Sequence, residues 1–138
     1  MNQKIRTAQL IHVTQIIGFC IFNYVLGDFK NLDKFKIEGS DFIYVLIPIV
    51  AYFLGLFISK KKLDSIAREQ STSDKLTAYI SSFIMRWAPL EAAGFFILLV
   101  KPELINLNIG VLILLILIRP SKENAKTVLH LRDSDFNS

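Results

Sequence analysis

The chain has 138 residues, of which 52% are hydrophobic and only 20% are charged, and its formal net charge is +4. A soluble domain carries about 25% charged residues, so this chain is short of side chains that face water. Four membrane spans of about 20 residues each would use most of the chain and leave the rest for loops and tails. The composition therefore disfavours a soluble enzyme, a nucleic-acid-binding domain and a disulfide-stabilised secreted domain.

Four apolar segments follow one another along the chain. We predict membrane spans at about 7–27, 42–58, 76–100 and 103–119, followed by a tail at 120–138. Pro48 and Gly55 interrupt the second segment, and both residue types are tolerated in membrane helices. The sequence predicts a single-domain, all-α, polytopic membrane protein whose four transmembrane helices form an antiparallel bundle.

Basic residues concentrate in the N-terminus, in the connection between spans 2 and 3, and in the tail. The cluster Lys60, Lys61 and Lys62, directly after the second span, is the strongest single signal. Because cytoplasmic loops carry the excess of Lys and Arg, both termini are predicted to lie in the cytoplasm. The cluster would also attract anionic lipid headgroups.

The third segment contains two charged residues, Arg86 and Glu91. A charge at the centre of a bilayer costs roughly 2.5–3.5 kcal/mol on insertion scales, so each residue needs a partner or a function. Their spacing separates them by about 140° around an ideal helix. Either a kink at Pro89 lets them meet, or each finds its partner on another helix. In one interpretation the two charged residues stabilise a contact between helices. In the other they form a proton or ion site.

Small residues line one face of the third segment, within an arc that includes Arg86. These residues are Ala78, Ser82, Pro89 and Ala93. Small side chains let membrane helices approach closely, so this face is predicted to be a helix-packing face. We expect the protein to associate with itself or with a larger membrane complex through it.

A polar stripe runs along the first segment and is predicted to face the bundle interior. Its members, the candidate polar partners of the two charged residues, are Gln9, His12, Gln15 and Asn23. The stripe is explained either by hydrogen bonds between helices or by a hydrated path with His12 as a proton acceptor. Asn106 and Asn108 are expected to be solvated near the outer interface, and Cys20 is expected to be a small buried thiol.

The sequence contains no recognisable nucleophile–base pair, glycine-rich phosphate loop or metal-ligand spacing. Its single cysteine excludes an intrachain disulfide, and its two histidines are far apart. We therefore predict that the protein is not an enzyme, has no catalytic residues, and needs neither a metal nor a cofactor. The expected partners are the lipid bilayer and other membrane proteins, and not nucleic acid.

Two motifs stand out in the second half of the chain. They are Arg86-Trp87-Ala88-Pro89-Leu90-Glu91 and Arg119-Pro120-Ser121-Lys122-Glu123. They resemble the motifs of a family of small, uncharacterised, four-span bacterial inner-membrane proteins, and this resemblance implies a four-helix fold in that membrane. The run Glu91-Ala92-Ala93-Gly94 is also locally similar to the carboxylate helix of rotary ATPase proteolipid subunits, which cycles a proton or a sodium ion. Arg86 departs from the proteolipid pattern.

These observations support two functional hypotheses. The first is a non-enzymatic membrane subunit or scaffold that oligomerises or joins a larger membrane complex. The alternative is a proton- or cation-translocating element that uses the intramembrane carboxylate of Glu91.

Overall fold

The structure, a computed structural model, describes residues 2–34 and 37–136. Within these two ranges every regular element is helical and there is no strand. The α-helices are α1 Asn2–Leu26, α2 Phe42–Asp64, α3 Thr72–Val100, α4 Ile105–Leu117 and α5 Lys122–Leu129. Short 3-10 turns lie at Phe29–Asn31, Gly39–Asp41 and Asp133–Phe136. The predicted all-α class is confirmed.

Three of the described helices, α1, α2 and α3, are long and apolar enough to cross a membrane, as judged by length and composition. The pair α4 and α5 adds a fourth candidate if the two helices, bent by 67° at a short break, count as one span. The chain therefore has the helix content of a multi-pass membrane protein.

The first three helices extend beyond the predicted spans at their basic ends. The second helix continues through the lysine cluster to Asp64, because lysine is a good helix former. The third helix begins at Thr72, one turn before the predicted span. The Ser71 hydroxyl caps it by accepting a hydrogen bond from the backbone N–H of Asp74 at 3.1 Å.

The fourth helix is shorter than the predicted span 103–119. It has 13 residues, which gives it a length of about 20 Å against a hydrocarbon thickness of about 30 Å. Pro120 explains where the helix stops, because proline has no N–H to donate and disfavours helical backbone at the preceding residue, Arg119. The chain then turns into α5.

The central helix is α3, which packs against α1, α2, α4 and α5. Its buried residues occur on every turn from Leu76 to Leu98: Leu76, Tyr79, Ser82, Phe83, Trp87, Leu90, Ala93, Gly94, Ile97 and Leu98. The core of the described residues is therefore built around one helix rather than around a central axis shared equally by four.

At one end of the molecule, the start of α1, the start of α3 and the whole of α5 lie together. Lys4 Nζ donates to Ser73 Oγ at 2.7 Å and to Thr77 Oγ1 at 2.8 Å. The Tyr79 hydroxyl donates to Asn124 Oδ1 at 2.8 Å. These contacts tie the first helix and the C-terminal region to the beginning of the central helix.

The C-terminal region folds back on this end of the molecule. The Asp133 carboxylate lies 2.9 Å from Lys126 Nζ and 3.4 Å from Lys122 Nζ. The hydrogen bond and positive charge of Lys126 lower the pKa of Asp133, and Lys122 adds to the effect. Beside this exposed network, Phe136 is buried and Lys122 Nζ lies 5.1 Å from the centre of its ring.

At the opposite end, the connection after α1 contacts the short turn between α3 and α4. The backbone N–H of Asp28 donates to the carbonyl of Pro102 at 3.1 Å. Asn106 Nδ2 donates to the carbonyl of Leu32 at 2.9 Å. Lys101 Nζ lies 3.3 Å from an oxygen of Asp41, and the hydrogen bond to that carboxylate raises the pKa of Lys101.

Small residues bring α2 into backbone contact with α3. Ala51, Gly55 and Ser59, spaced four residues apart on α2, are all buried. A Cβ atom added at Gly55 would lie 3.1 Å from the carbonyl carbon and 3.2 Å from the Cα of Arg86, and closer still to its carbonyl oxygen. Only glycine permits this approach without a shift of one helix.

We predict that Gly55→Ala destabilises the protein, because the added methyl group meets the rigid backbone of Arg86. The expected loss is about 1–3 kcal/mol of unfolding free energy, measured by denaturant titration in detergent micelles. The matched control is Gly18→Ala on α1, where an added Cβ atom meets nothing within 4 Å. The control should be neutral or gain up to about 1 kcal/mol. Equal effects of the two substitutions would contradict the close contact.

Candidate functional site

The polar stripe of α1 faces the interior of the described structure. His12 and Asn23 are buried, with exposed fractions of 4% and 8%, and Gln9 and Gln15 are partly buried. The partners of Gln9 and His12 are backbone carbonyl groups near the end of α4, and neither residue hydrogen-bonds to Arg86 or Glu91.

His12 bonds to the C-terminal end of α4. Its Nε2 lies 2.8 Å from the carbonyl oxygen of Leu115. A carbonyl only accepts, so Nε2 carries the proton and donates it. Leu115 belongs to the last turn of the helix, where carbonyl groups have no intrahelical partner. Trp87 supports the imidazole ring, with ring centres 4.9 Å apart.

Gln9, one turn before His12 on α1, also donates a hydrogen bond to a backbone carbonyl. Its Nε2 donates to the carbonyl oxygen of Pro120 at 3.1 Å, within the break between α4 and α5. An unsatisfied backbone group in hydrocarbon costs several kcal/mol. Two side chains of the first helix therefore satisfy carbonyl groups at the point where the fourth helix is interrupted.

Arg86 and Glu91 do not form an ion pair with each other or with another described residue. The third helix is continuous through Pro89, and the two side chains do not meet on it. Arg86 contributes its backbone to the contact with Gly55, while its Nε atom is buried without a hydrogen-bond partner among the described residues.

Helical spacing places Glu91 on the same side of α3 as Trp87 and Phe95, which contact α1. It is one turn from Trp87, which contacts His12, and one turn from Phe95, whose ring lies 5.4 Å from that of Phe19. The carboxyl group is partly buried. Gln15, between His12 and Phe19 in sequence, lies at the corresponding level of α1.

Several interior polar atoms have no hydrogen-bond partner within the described part of the chain. They are Gln15 Oε1, Asn23 Oδ1, Arg86 Nε, Trp87 Nε1, and both Nδ2 and Oδ1 of Asn108. The expectation that Asn108 is solvated is wrong, because this residue is only 1% exposed. It shares the buried face of α4 with Ile105, Val111 and Leu115.

The predicted helix-packing face of α3 is covered by α2 of the same chain. Its members Ala78, Ser82, Pro89 and Ala93 are all buried or partly buried. Pro89 and Ala93 line a groove of about 480 Å³ together with Ala51 and Leu54 of α2. Part of this face is therefore used within the chain, and Pro89 and Ala93 stay accessible from the groove.

The lysine cluster occupies the last two turns of α2. Lys60 and Lys61 are exposed and Lys62 is partly exposed. None of the three forms an ion pair with another described residue. The cluster leaves a concentration of positive charge at the end of the molecule that also holds α5.

One further expectation is wrong. Cys20 is exposed on α1 and is not the buried thiol that was predicted. The residues that the structure describes contain no group of three His, Cys, Asp or Glu side chains arranged to hold a metal ion.

No protein-family model, curated protein or solved structure matches this chain. The function is therefore inferred from the contacts and exposure of the chain's own residues.

We predict that His12→Phe weakens the α1–α4 contact while keeping an aromatic ring against Trp87. Loss of the donor leaves the Leu115 carbonyl unsatisfied, and the expected cost is about 1–3 kcal/mol of unfolding free energy. Val13→Phe, at an exposed neighbouring position, is the control and should change stability by less than about 0.5 kcal/mol. An unchanged His12→Phe variant would show that the carbonyl does not depend on the imidazole.

We predict that Asn108→Leu stabilises the isolated protein, because it replaces two buried unpartnered polar atoms with hydrocarbon. The expected gain is about 1–3 kcal/mol in the same unfolding assay. Asn106→Leu is the matched control, and it should lose about 0.5–1.5 kcal/mol because Asn106 donates to the Leu32 carbonyl. A loss of stability in Asn108→Leu would instead reveal a bound water molecule or ion that partners the amide.

Proposed function

We propose that the chain is a small integral protein of the bacterial inner membrane, with four spans in an antiparallel bundle and both termini in the cytoplasm. In this arrangement α4 lies in the fourth span, about 103–119, and α5 belongs to the cytoplasmic tail, 120–138. The shared end of α1, α3 and α5, which also carries the lysine cluster, supports the orientation, because cytoplasmic ends are rich in Lys and Arg. The opposite end, with the 28–41 connection and the 101–104 turn, would face outward.

The proposed role is that of a non-enzymatic subunit or scaffold, which binds copies of itself or joins a larger membrane complex. The observation that supports this role is the outward face of α1. Thr14 is exposed there, and a Cβ atom added at Gly18 would meet nothing within 4 Å. Most of the apolar stretch of α1 is likewise unburied. The helix therefore has a face that the rest of the described chain leaves uncovered, and Gly18, near the middle of that face, has no side chain.

This proposal moves the association surface from α3 to α1. On α3 the small-residue face is already partly covered by α2, and only the groove beside Pro89 and Ala93 is left open to a second chain. A glycine on an exposed membrane helix lets the backbone of another helix approach closely. The free glycine of α1 meets that requirement without any rearrangement of the described structure.

We predict that Gly18→Leu weakens assembly without harming the fold. The bulky side chain would separate the packed helices and reduce the association constant by about 5- to 100-fold, equivalent to about 1–3 kcal/mol. The matched control is Gly110→Leu on α4, where an added Cβ atom also meets nothing within 4 Å. Native mass measurements on tagged protein, purified from native membranes in mild detergent, report stoichiometry and any foreign subunit.

Two results of this experiment would contradict the subunit proposal. One is a monomer without stoichiometric partners in the wild-type preparation. The other is an assembly that Gly18→Leu and Gly110→Leu leave equally intact. Thermal unfolding of each variant shows whether a change in assembly follows from a change in the fold.

A second candidate function is the translocation of a proton or cation by Glu91. The observation that favours it is the series of buried polar atoms without partners on α1, α3 and α4. Buried polar groups in native proteins usually bind protein groups or ordered water, so an interior of this kind favours hydration. An opening of about 230 Å³ beside His12, also lined by Arg119, would connect the interior with the proposed cytoplasmic side.

We predict for this candidate that reconstituted wild-type protein conducts protons or sodium ions and that Glu91→Gln reduces the flux at least about tenfold. The substitution keeps the shape of the side chain but removes its ability to carry charge. Glu103→Gln, at an exposed position in the turn before α4, should retain the wild-type flux. Equal flux through wild-type, Glu91→Gln and protein-free vesicles would reject translocation.

A further inference from the structure

A groove of about 700 Å³ lies between the first turns of α1 and the first turns of α3. Its lining changes character along the helices. Lys4, Thr7 and Ser73 line the part nearest the helix starts, whereas Ala8, Ile11 and Ile80 line the part further along. The groove therefore offers polar contacts at one end and apolar contacts at the other.

Lys4 is held in position at the polar end by neutral oxygen atoms. Its Nζ donates to Ser73 Oγ at 2.7 Å, to Thr77 Oγ1 at 2.8 Å and to the Ser73 carbonyl at 3.1 Å. It forms no ion pair with a described carboxylate. Asp74, the acidic residue of the first turn of α3, accepts a hydrogen bond from the Ser71 hydroxyl and does not line the groove. The ammonium group thus remains a fixed positive charge without a partner carboxylate.

We propose that this groove binds one anionic glycerophospholipid of the cytoplasmic leaflet. The phosphate replaces the Ser73 carbonyl, which accepts the longest of the three Lys4 hydrogen bonds, and it also accepts a hydrogen bond from the Ser73 hydroxyl group. An acyl chain lies along Ile11 and Ile80. Charge complementarity selects an anionic headgroup, and the apolar part of the groove selects a lipid over a free phosphate. This inference rests on the membrane location and orientation proposed above.

The lipid site differs from the lysine cluster in both geometry and selectivity. Lys60 and Lys61 are exposed at the end of α2 and attract any anionic surface through diffuse charge. Lys4 is only partly exposed and lies beside the apolar part of the groove between α1 and α3. A specific lipid should therefore be retained during purification at the α1–α3 groove and not at the cluster.

The test is native mass spectrometry of the full chain in mild detergent, with phosphatidylglycerol or phosphatidylethanolamine added. The wild-type protein should retain one phosphatidylglycerol molecule in preference to phosphatidylethanolamine. Lys4→Gln should reduce the affinity for phosphatidylglycerol about fivefold, the effect of one basic residue near an anionic lipid surface. Lys60→Gln removes the same charge from the same end of the molecule and should leave this affinity unchanged.

A second variant tests the apolar part of the groove and keeps the proposal testable if Lys4→Gln fails to fold. Ile11 is 39% exposed, so Ile11→Trp can be accommodated while its ring fills the groove. It should reduce the binding of both lipids. Glycerol 3-phosphate, which has the headgroup phosphate but no acyl chain, should not compete with the lipid.

Three results would overturn the lipid site. They are unchanged lipid binding in Ile11→Trp, equal losses in Lys4→Gln and Lys60→Gln, and effective competition by glycerol 3-phosphate. Retention of the protein in carbonate-washed membranes is measured on the same cells. Loss of that retention would reject the proposed membrane location itself, whereas loss of lipid selectivity alone would reject only this site.

Discussion

The last turn of a helix leaves carbonyl groups that need donors from elsewhere, and in α4 this requirement explains how the first helix packs. Pro120 stops the fourth helix, so the carbonyl groups of its last turn lie where water is scarce in the proposed membrane setting. His12 and Gln9 supply the donors from α1. The first half of the polar stripe, Gln9 and His12, is therefore explained by the short fourth helix, whereas Asn23 donates to the Phe19 carbonyl of its own helix.

The central position of α3 follows from a different constraint, which is the close approach of backbones. Gly55 contacts the main chain of Arg86, so the charged residue serves the packing interface through its backbone and not through its guanidinium group. The same helix can then present Glu91 towards α1 on another face. Two charges that look like an ion pair in the sequence thus belong to two different interfaces of one helix.

The sequence predicts the features that depend on composition and periodicity, and it cannot predict which surfaces meet. Helical class, the first three helices and the inward direction of the α1 stripe follow from runs of apolar residues and from the angular spacing of Gln9, His12 and Asn23. The partner of His12 could not be predicted, because it is a backbone carbonyl on a helix 103 residues away in sequence. Pro120 was the available signal for the end of α4, since residues before proline leave the helical region. The burial of Asn108 and the exposure of Cys20 depend on how far each helix is rotated against its neighbours.

The two candidate functions draw on different parts of the molecule and are compatible. Association would use the outer face of α1, around Gly18, which the fold leaves free. No partner on that face could satisfy Asn108, because this side chain is 1% exposed and lies against the core. Only a water molecule or an ion is small enough to reach its amide. Without a partner these interior atoms lower stability whatever binds outside, whereas the proposed translocation requires that water or an ion partners them. The two proposed functions are therefore distinguished in the interior of the molecule and not on its surface.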